Sequence, residues 1–375
     1  MAWKSRRRRN RRQRTSNPRL ARQILASKAK FAFVEVKGEV PAPPIRPSWI
    51  DSAALAVQEG QIGGTSNRLY FGVFVVSEAV QDEAFLDDII VPAADGYPLA
   101  ATLFLPRGPK RHAVLINAAT ATPRKIYRGF AGYLARRGCA VLTYDYRGIG
   151  GSRPLDVVGY IRPKSLVGFK ASMADWAALD VTATVAWMRE RYHTLPLSYV
   201  GHSFGGQALG LLANNAEISR ALLIASQAAT WKLMASPERY RVYALMRGVG
   251  VPLTRVLGYA PGWAGIGEDL PKDAFLQWTR WVTSPRYLFD DKDLAGLKNF
   301  ANFRGAMRAL CIADDPWATW PAVELLCSGY TSAQPEIVSL TPAAAGVARI
   351  GHFGFFRPEH RDSLWPGAAD WIQAG

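Results

Sequence analysis

Beyond residue 87 the apolar positions of the chain fall into two alternating rhythms. Short, almost unbroken apolar runs recur at 113–117, 140–146, 197–200, 221–225, 309–313 and 337–340. Runs of that length without polar alternation predict strands buried on both faces. Between them the spacing changes. Residues 127–137 place Phe130 and Leu134 on one face and stop at Gly138, and 173–192 set Trp176, Leu179, Ala183 and Trp187 near helical spacing. Both read as helices. Ahead of the series, Ile89-Ile90-Val91, then Asp95-Gly96, then 99–105 predict a β-hairpin. Strands alternating with helices after an opening hairpin predict an α/β fold, with a mostly parallel sheet and helices on both faces. In such sheets binding sites form at the carboxyl ends of the strands.

The alternation stops between about 230 and 303. That stretch holds Trp231, Trp263, Trp278 and Trp281, with Pro252, Pro261, Pro271 and Pro285 among them. It reads as a mostly helical cap insertion whose tryptophans largely fill a small core of their own. Placed over the sheet edge, such a cap would exclude water and wall a substrate pocket. The expected organisation is a basic tail over 1–40, a linker and unassigned extension over 41–84, and one catalytic-type domain over 85–375.

Charge changes the picture only at the start. The net charge is +16, and twelve Lys and Arg residues precede the first acid, Glu35, which leaves +4 for the rest. The tail could bind nucleic acid or anionic lipid without sequence preference. A transit peptide and an over-extended start are the competing readings. An unstructured, non-catalytic tail is the favoured one, so nucleic acid is not expected as an obligate partner. Pro41-Ala42-Pro43-Pro44 opens a stiff linker. No apolar run is long enough to span a bilayer. Cys139, Cys311 and Cys327 are scattered and odd in number, which argues against a disulfide framework and for a reducing, cytoplasmic setting.

The chemistry centres on 197–206, Leu-Ser-Tyr-Val-Gly-His-Ser-Phe-Gly-Gly. A β-favouring run enters Gly-x-Ser-x-Gly and a helix follows, so Ser203 sits at the tip of a sharp turn that demands small residues at 201 and 205. The blander reading is a glycine-rich loop with an incidental serine. As a nucleophile, Ser203 would have the N–H of Phe204 aimed at a developing oxyanion. It would also need a base. Of the five histidines, His112 and His193 are badly placed, and His202 should point away from its neighbour. His360 lies in a charged stretch and reads as solvated. His352, in the glycine-flanked loop 350–354, is the expected base. For the acid, Asp315 is preferred to Asp314, one of the two being a possible cap for a helix over 317–326. A second oxyanion donor would come from Ala118 or Ala119. Asp290, Asp291 and Asp293 read as a solvated cluster.

Together these residues resemble the α/β-hydrolase superfamily. Tyr144-Asp145-Tyr146-Arg147-Gly148-Ile149-Gly150-Gly151-Ser152 is similar to the Asp-x-Arg-Gly-x-Gly-x-Ser loop of many of its esterases, with Asp145 and Arg147 in structural roles. Asp175-Trp176, 201–206, the Trp-rich 258–281, Asp314-Asp315-Pro316-Trp317 and 350–356 resemble a bacterial group related to the serine aminopeptidase-like (S33) domain. The resemblance covers the chain from about residue 87 onward. It implies Ser203, Asp315 and His352 as a triad and names no substrate. Asn117-Ala118 departs from the His-Gly that many members carry after the oxyanion strand.

The expected activity is cofactor-independent hydrolysis of carboxylic esters, secondarily amides, through an acyl-enzyme of the EC 3.1.1 type. The substrate would be a small molecule with an apolar acyl or aryl group. Acyl transfer from the same intermediate, and a catalytically silent scaffold with a nucleic-acid-binding tail, are the alternatives. Gly148-Ile149-Gly150-Gly151 lacks the third glycine of a dinucleotide fingerprint, no phosphate loop is present, and no grouping has metal-ligand spacing.

Overall fold

The computed structural model describes residues 84–158, 160–163 and 165–374, together with the backbone of two short strands, β1 (Val57–Gly60) and β2 (Leu69–Gly72). The basic tail and the proline-rich linker lie outside the described residues. The strands β1 and β2 pair antiparallel within a first unit, 1–83, and the rest of the chain forms a second unit, 84–375.

The second unit is built on an eight-stranded sheet. Its strands are β3 (Phe85–Pro92), β4 (Pro98–Leu105), β5 (His112–Asn117), β6 (Cys139–Tyr144), β9 (Leu197–His202), β10 (Arg220–Ile224), β13 (Ala306–Ile312) and β14 (Glu336–Leu340). Two small hairpins interrupt the series, β7 (Leu155–Val158) with β8 (Tyr160–Pro163), and β11 (Tyr259–Ala260) with β12 (Leu270–Pro271). The sheet runs β14-β13-β10-β9-β5-β6-β4-β3. The hairpin β3–β4 is antiparallel, β4 pairs antiparallel with β6, and every other pairing is parallel. The centre of the sheet is dry, since β6 and β9 are buried at every position. Their unbroken apolar runs are the sequence expression of helices on both faces.

Helices α1 (Arg128–Arg136), α2 (173–191), α3 (Phe204–Ala208), α6 (Trp320–Cys327) and α7 (Arg361–Gln373) belong to this framework, and α4 (238–257) and α5 (Lys272–Thr283) to the cap. In α1 the expected face is buried, and Gly138 ends it at φ +92°. Helix α2 differs from expectation in phase. It buries Met173, Trp176, Ala177, Asp180, Thr184, Val185 and Met188, while Leu179, Ala183 and Trp187 are only half-buried. The cause is a π-helical stretch at Trp176–Val181. A wider turn rotates everything after it relative to a regular 3.6-residue pattern.

The segment 230–303 is mainly helical, with α4, α5 and several short turns around the hairpin β11–β12. Its tryptophans divide: Trp281 is fully buried, Trp231 and Trp278 are half-buried, and Trp263 is exposed. Asp291, expected in solvent, is instead buried. It accepts from Trp281 Nε1 at 2.6 Å and Arg280 at 2.9 Å. A buried indole N–H needs an acceptor, and this carboxylate supplies it. His360 is likewise buried beneath the turn at Gly354, not solvated.

The Asp-x-Arg loop is a buried ion-pair scaffold. Asp145 is gripped by the backbone and guanidinium of Arg124 and accepts from the N–H of Gly151. Arg147 forks onto Asp95 at 2.7 and 2.8 Å and reaches Asp180 at 2.7 Å. The indole of Trp176 donates to the Arg147 carbonyl, so the loop is fastened to α2.

Candidate active site

The nucleophile candidate is set by steric exclusion. Ser203 joins β9 to α3 with φ 51° and ψ −116°, a conformation that costs a side-chain-bearing residue about 1–3 kcal/mol. The surroundings hold it there. Its N–H donates to the Ile224 carbonyl, and its own carbonyl accepts from Gly206 and Gln207. A Cβ at Gly201 would lie 2.5 Å from the Gly206 backbone, and one at Gly205 would lie 2.2 Å from the Asn117 carbonyl oxygen. Both glycines are therefore required by close backbone approach. Phe204 begins α3, and its ring packs edge-on against Tyr146 and Trp176. Burial of that ring anchors the turn by about 2–3 kcal/mol.

The base candidate is held from three sides. After β14 the chain returns in a single helical turn, Gly351–Gly354, where a loop was expected. Asp315 Oδ2 is 2.6 Å from His352 Nδ1, and its side chain is fully buried. Asp314 faces the backbone of the same turn. Its two oxygens accept from the N–H groups of Ile350 and Gly351 at 3.0 and 2.9 Å. Neither aspartate caps the helix expected over 317–326. Helix α6 begins later, at Trp320, and Asp315 Oδ1 instead accepts from the Trp317 N–H at 2.8 Å. The Trp317 ring lies edge-on to His352 at 4.8 Å, with its indole N–H bound to Glu238 in the cap.

Ser203 and His352 both line one cavity of about 590 Å³ between the sheet edge and the cap. Its walls are mainly apolar, with Met246, Phe275, Trp278 and Val282 from the cap and Phe353 beside the histidine. Ala119 and Thr120 form part of the wall. The expected donor at Ala119 needs correction. Its N–H donates to Tyr127 Oη at 2.8 Å, so in this arrangement it is committed elsewhere. The Ala118 carbonyl accepts from Tyr146 Oη at 3.0 Å, fixing the same loop from the opposite side.

Three contributors escaped the sequence reading. His202 was expected to point away from the site. Its ring is indeed buried below the turn, but it lies 5.2 Å from the His352 ring, and its Nε2 is 2.8 Å from the His352 carbonyl. Tyr127 bridges His202 and Ala119, and Trp317 walls the base. His202 stood beside the serine in sequence and Trp317 stood in the 314–317 motif, but neither position showed a role. Tyr127 and Trp317 act through tertiary contacts that no local spacing encodes. Burial and the neighbouring His352 hold the His202 imidazole well below its ordinary pKa, against the bond to the His352 carbonyl, so it is neutral.

A search of the curated proteins finds no match. The model of the alpha/beta hydrolase family matches residues 113–361, and the chain belongs to that family. Among solved structures it is similar to DcsB in complex with its substrate analogue, at 12% identity over 77% of this chain and 99% of that one, with a TM-score of 0.52. It is also similar to a protein of unknown function from Staphylococcus aureus subsp. aureus Mu50, at 12% identity over 77% and 98%, TM-score 0.51. The esterase EaEST from Exiguobacterium antarcticum is 13% identical over 77% and 100%, TM-score 0.49. At these identities the likeness to the first two is one of fold. Among the described residues no helix is long and apolar enough to cross a membrane, and no group of His, Cys, Asp or Glu side chains is placed to hold a metal ion.

Proposed function

We propose that the protein is a serine hydrolase of carboxylic esters, secondarily of amides, acting without a cofactor through an acyl-enzyme on Ser203. The observation that carries this reading is the shared cavity. A serine held at positive φ at a strand–helix turn and a histidine paired to a buried aspartate open into the same apolar space. Ser203 Oγ attacks the substrate carbonyl while His352 Nε2 takes its proton. Asp315 keeps the Nδ1–H tautomer and stabilises the imidazolium. The oxyanion is held by the Phe204 N–H and by a second N–H from the loop that begins at Ala118. His352 then protonates the leaving alcohol, and water, deprotonated in turn by His352, releases the acid. Asp314 serves as the fastener of the base turn.

The apolar walls favour an apolar acyl or aryl group. The motifs at Asp175-Trp176 and 314–317 support placement near the S33-related group, and three free, buried thiols support a reducing, cytoplasmic setting. The test is intact-mass spectrometry during turnover of p-nitrophenyl esters, with and without an alcohol acceptor. Acylation of wild type but not Ser203→Ala, with free acid as product, is expected. Transfer to the acceptor as the main product would move the assignment to acyltransferase, and no covalent adduct on any ester would remove the acyl-enzyme.

A further inference from the structure

The contacts around His202 fix a direction for every hydrogen in them. The His352 carbonyl can only accept, so the 2.8 Å contact from His202 Nε2 requires the proton on Nε2. In the neutral ring Nδ1 is then an acceptor, and Tyr127 Oη, 2.8 Å away, must donate to it. A lone pair of that same oxygen accepts the Ala119 N–H at 2.8 Å. The result is one unbroken series, Ala119 N–H to Tyr127 O–H to His202, and His202 N–H to the His352 carbonyl. It begins on the loop expected to bear the oxyanion and ends on the turn bearing the base. Between them it passes through the residue adjacent to Ser203. The rings of Tyr127, His352, Phe353 and Phe356 enclose the imidazole, and the Tyr127 ring is itself buried. The imidazole and the Tyr127 hydroxyl are thereby sheltered from water.

We propose that Tyr127 and His202 are positioning residues of this site, forming a hydrogen-bond relay of fixed polarity that sets the Ala119 loop and the His352 turn against each other. A protonated His202 would put hydrogens on both nitrogens and leave the Tyr127 hydroxyl hydrogen without its acceptor. The relay therefore specifies one tautomer, the neutral Nε2–H form. Its catalytic consequence rests on the hydrolase reading, but its polarity does not.

Two measurements on the full chain test it. The first is ring-¹⁵N histidine NMR of the wild type, assigned with His202→Gln. The expected result is a His202 with pyridine-like Nδ1 and pyrrole-like Nε2 that does not titrate between about pH 5.5 and 8. An Nδ1–H tautomer or an imidazolium in that range overturns the relay whether or not the protein is a hydrolase. The second is ester turnover per active site, with sites counted by a fluorophosphonate. Tyr127→Phe removes one oxygen and should lower kcat about tenfold to a hundredfold with KM within about twofold. His202→Gln, which can still accept and donate, should retain more kcat than His202→Leu. A purely structural role would reduce the number of titratable sites and leave kcat per site unchanged, and that outcome in Tyr127→Phe contradicts positioning. Absence of turnover in the wild type would count against the hydrolase reading while the NMR result still decides the relay.

Discussion

Two adjacent carboxylates, Asp314 and Asp315, offer a sharp test because their geometries assign them unequal work. Asp315 sits 2.6 Å from His352 Nδ1 with no exposed side-chain surface. In the proposed mechanism His352 takes the serine proton, and that carboxylate then faces a newly formed imidazolium with little water to screen the attraction. Removing such a partner costs about 10⁴ in kcat, or roughly 5 kcal/mol of transition-state stabilisation. Asp314 instead accepts two backbone N–H groups, from Ile350 and Gly351, at a half-exposed position. Charge-assisted bonds of this kind are worth about 1.5–3 kcal/mol each when sheltered. Water can take over part of that role here, so the pair contributes about 2 kcal/mol to holding the turn. Asp314→Ala should therefore lower the urea stability by about 2 kcal/mol and kcat about tenfold through a loosened base. Asp315→Ala should abolish most turnover while leaving a folded protein with a normal urea slope. Turnover per titrated site and urea unfolding, measured on both variants, separate the two. Equal kcat losses, or an Asp315→Ala enzyme within tenfold of wild type, would refute the assignment.

Other consequences are as direct. Gly205→Ala places a methyl 2.2 Å from the Asn117 carbonyl oxygen, which a strand end cannot yield, so a loss of about 3 kcal/mol or more is expected. Gly108→Ala, with nothing within 4 Å, should stay within about 0.5 kcal/mol of wild type in the same melt. Asp291→Ala strips the buried Trp281 indole of its acceptor and should cost about 2 kcal/mol by urea unfolding. His202, depressed below its ordinary 6.5 in the fold, binds fewer protons folded than unfolded. Its contribution is intact above pH 6.5 and is lost as the pH falls below that value. The slope is about 1.4 kcal/mol per pH unit. His202→Gln should flatten the acid limb of the stability profile by that amount, and an unchanged slope would show that His202 is not the group responsible.

Much of the framework was legible because its signals are local. The unbroken runs of β5, β6 and β9 announced buried parallel strands, and the glycines at 201 and 205 announced a turn with no room for side chains. What was lost is what local spacing cannot carry. The π-helical stretch in α2 moved Leu179, Ala183 and Trp187 off the buried face, a shift that a 3.6-residue count cannot foresee. Asp291 and His360 looked solvated beside charged neighbours, yet tertiary packing buries both. The preference for Asp315 over Asp314 could say nothing of their separate roles, since both follow β13. Only the return of the chain after β14 gives one the imidazole and the other the backbone. The commitment of the Ala119 N–H to Tyr127 was invisible for the same reason, because the partner lies on a different element.

Labelling with a fluorophosphonate probe tests most directly whether Ser203 is activated and served by His352. Wild type should label rapidly, Ser203→Ala not at all, and His352→Ala far more slowly. Absence of labelling in a folded wild-type protein, under conditions where a control serine hydrolase reacts, would contradict it, as would labelling that survives in Ser203→Ala.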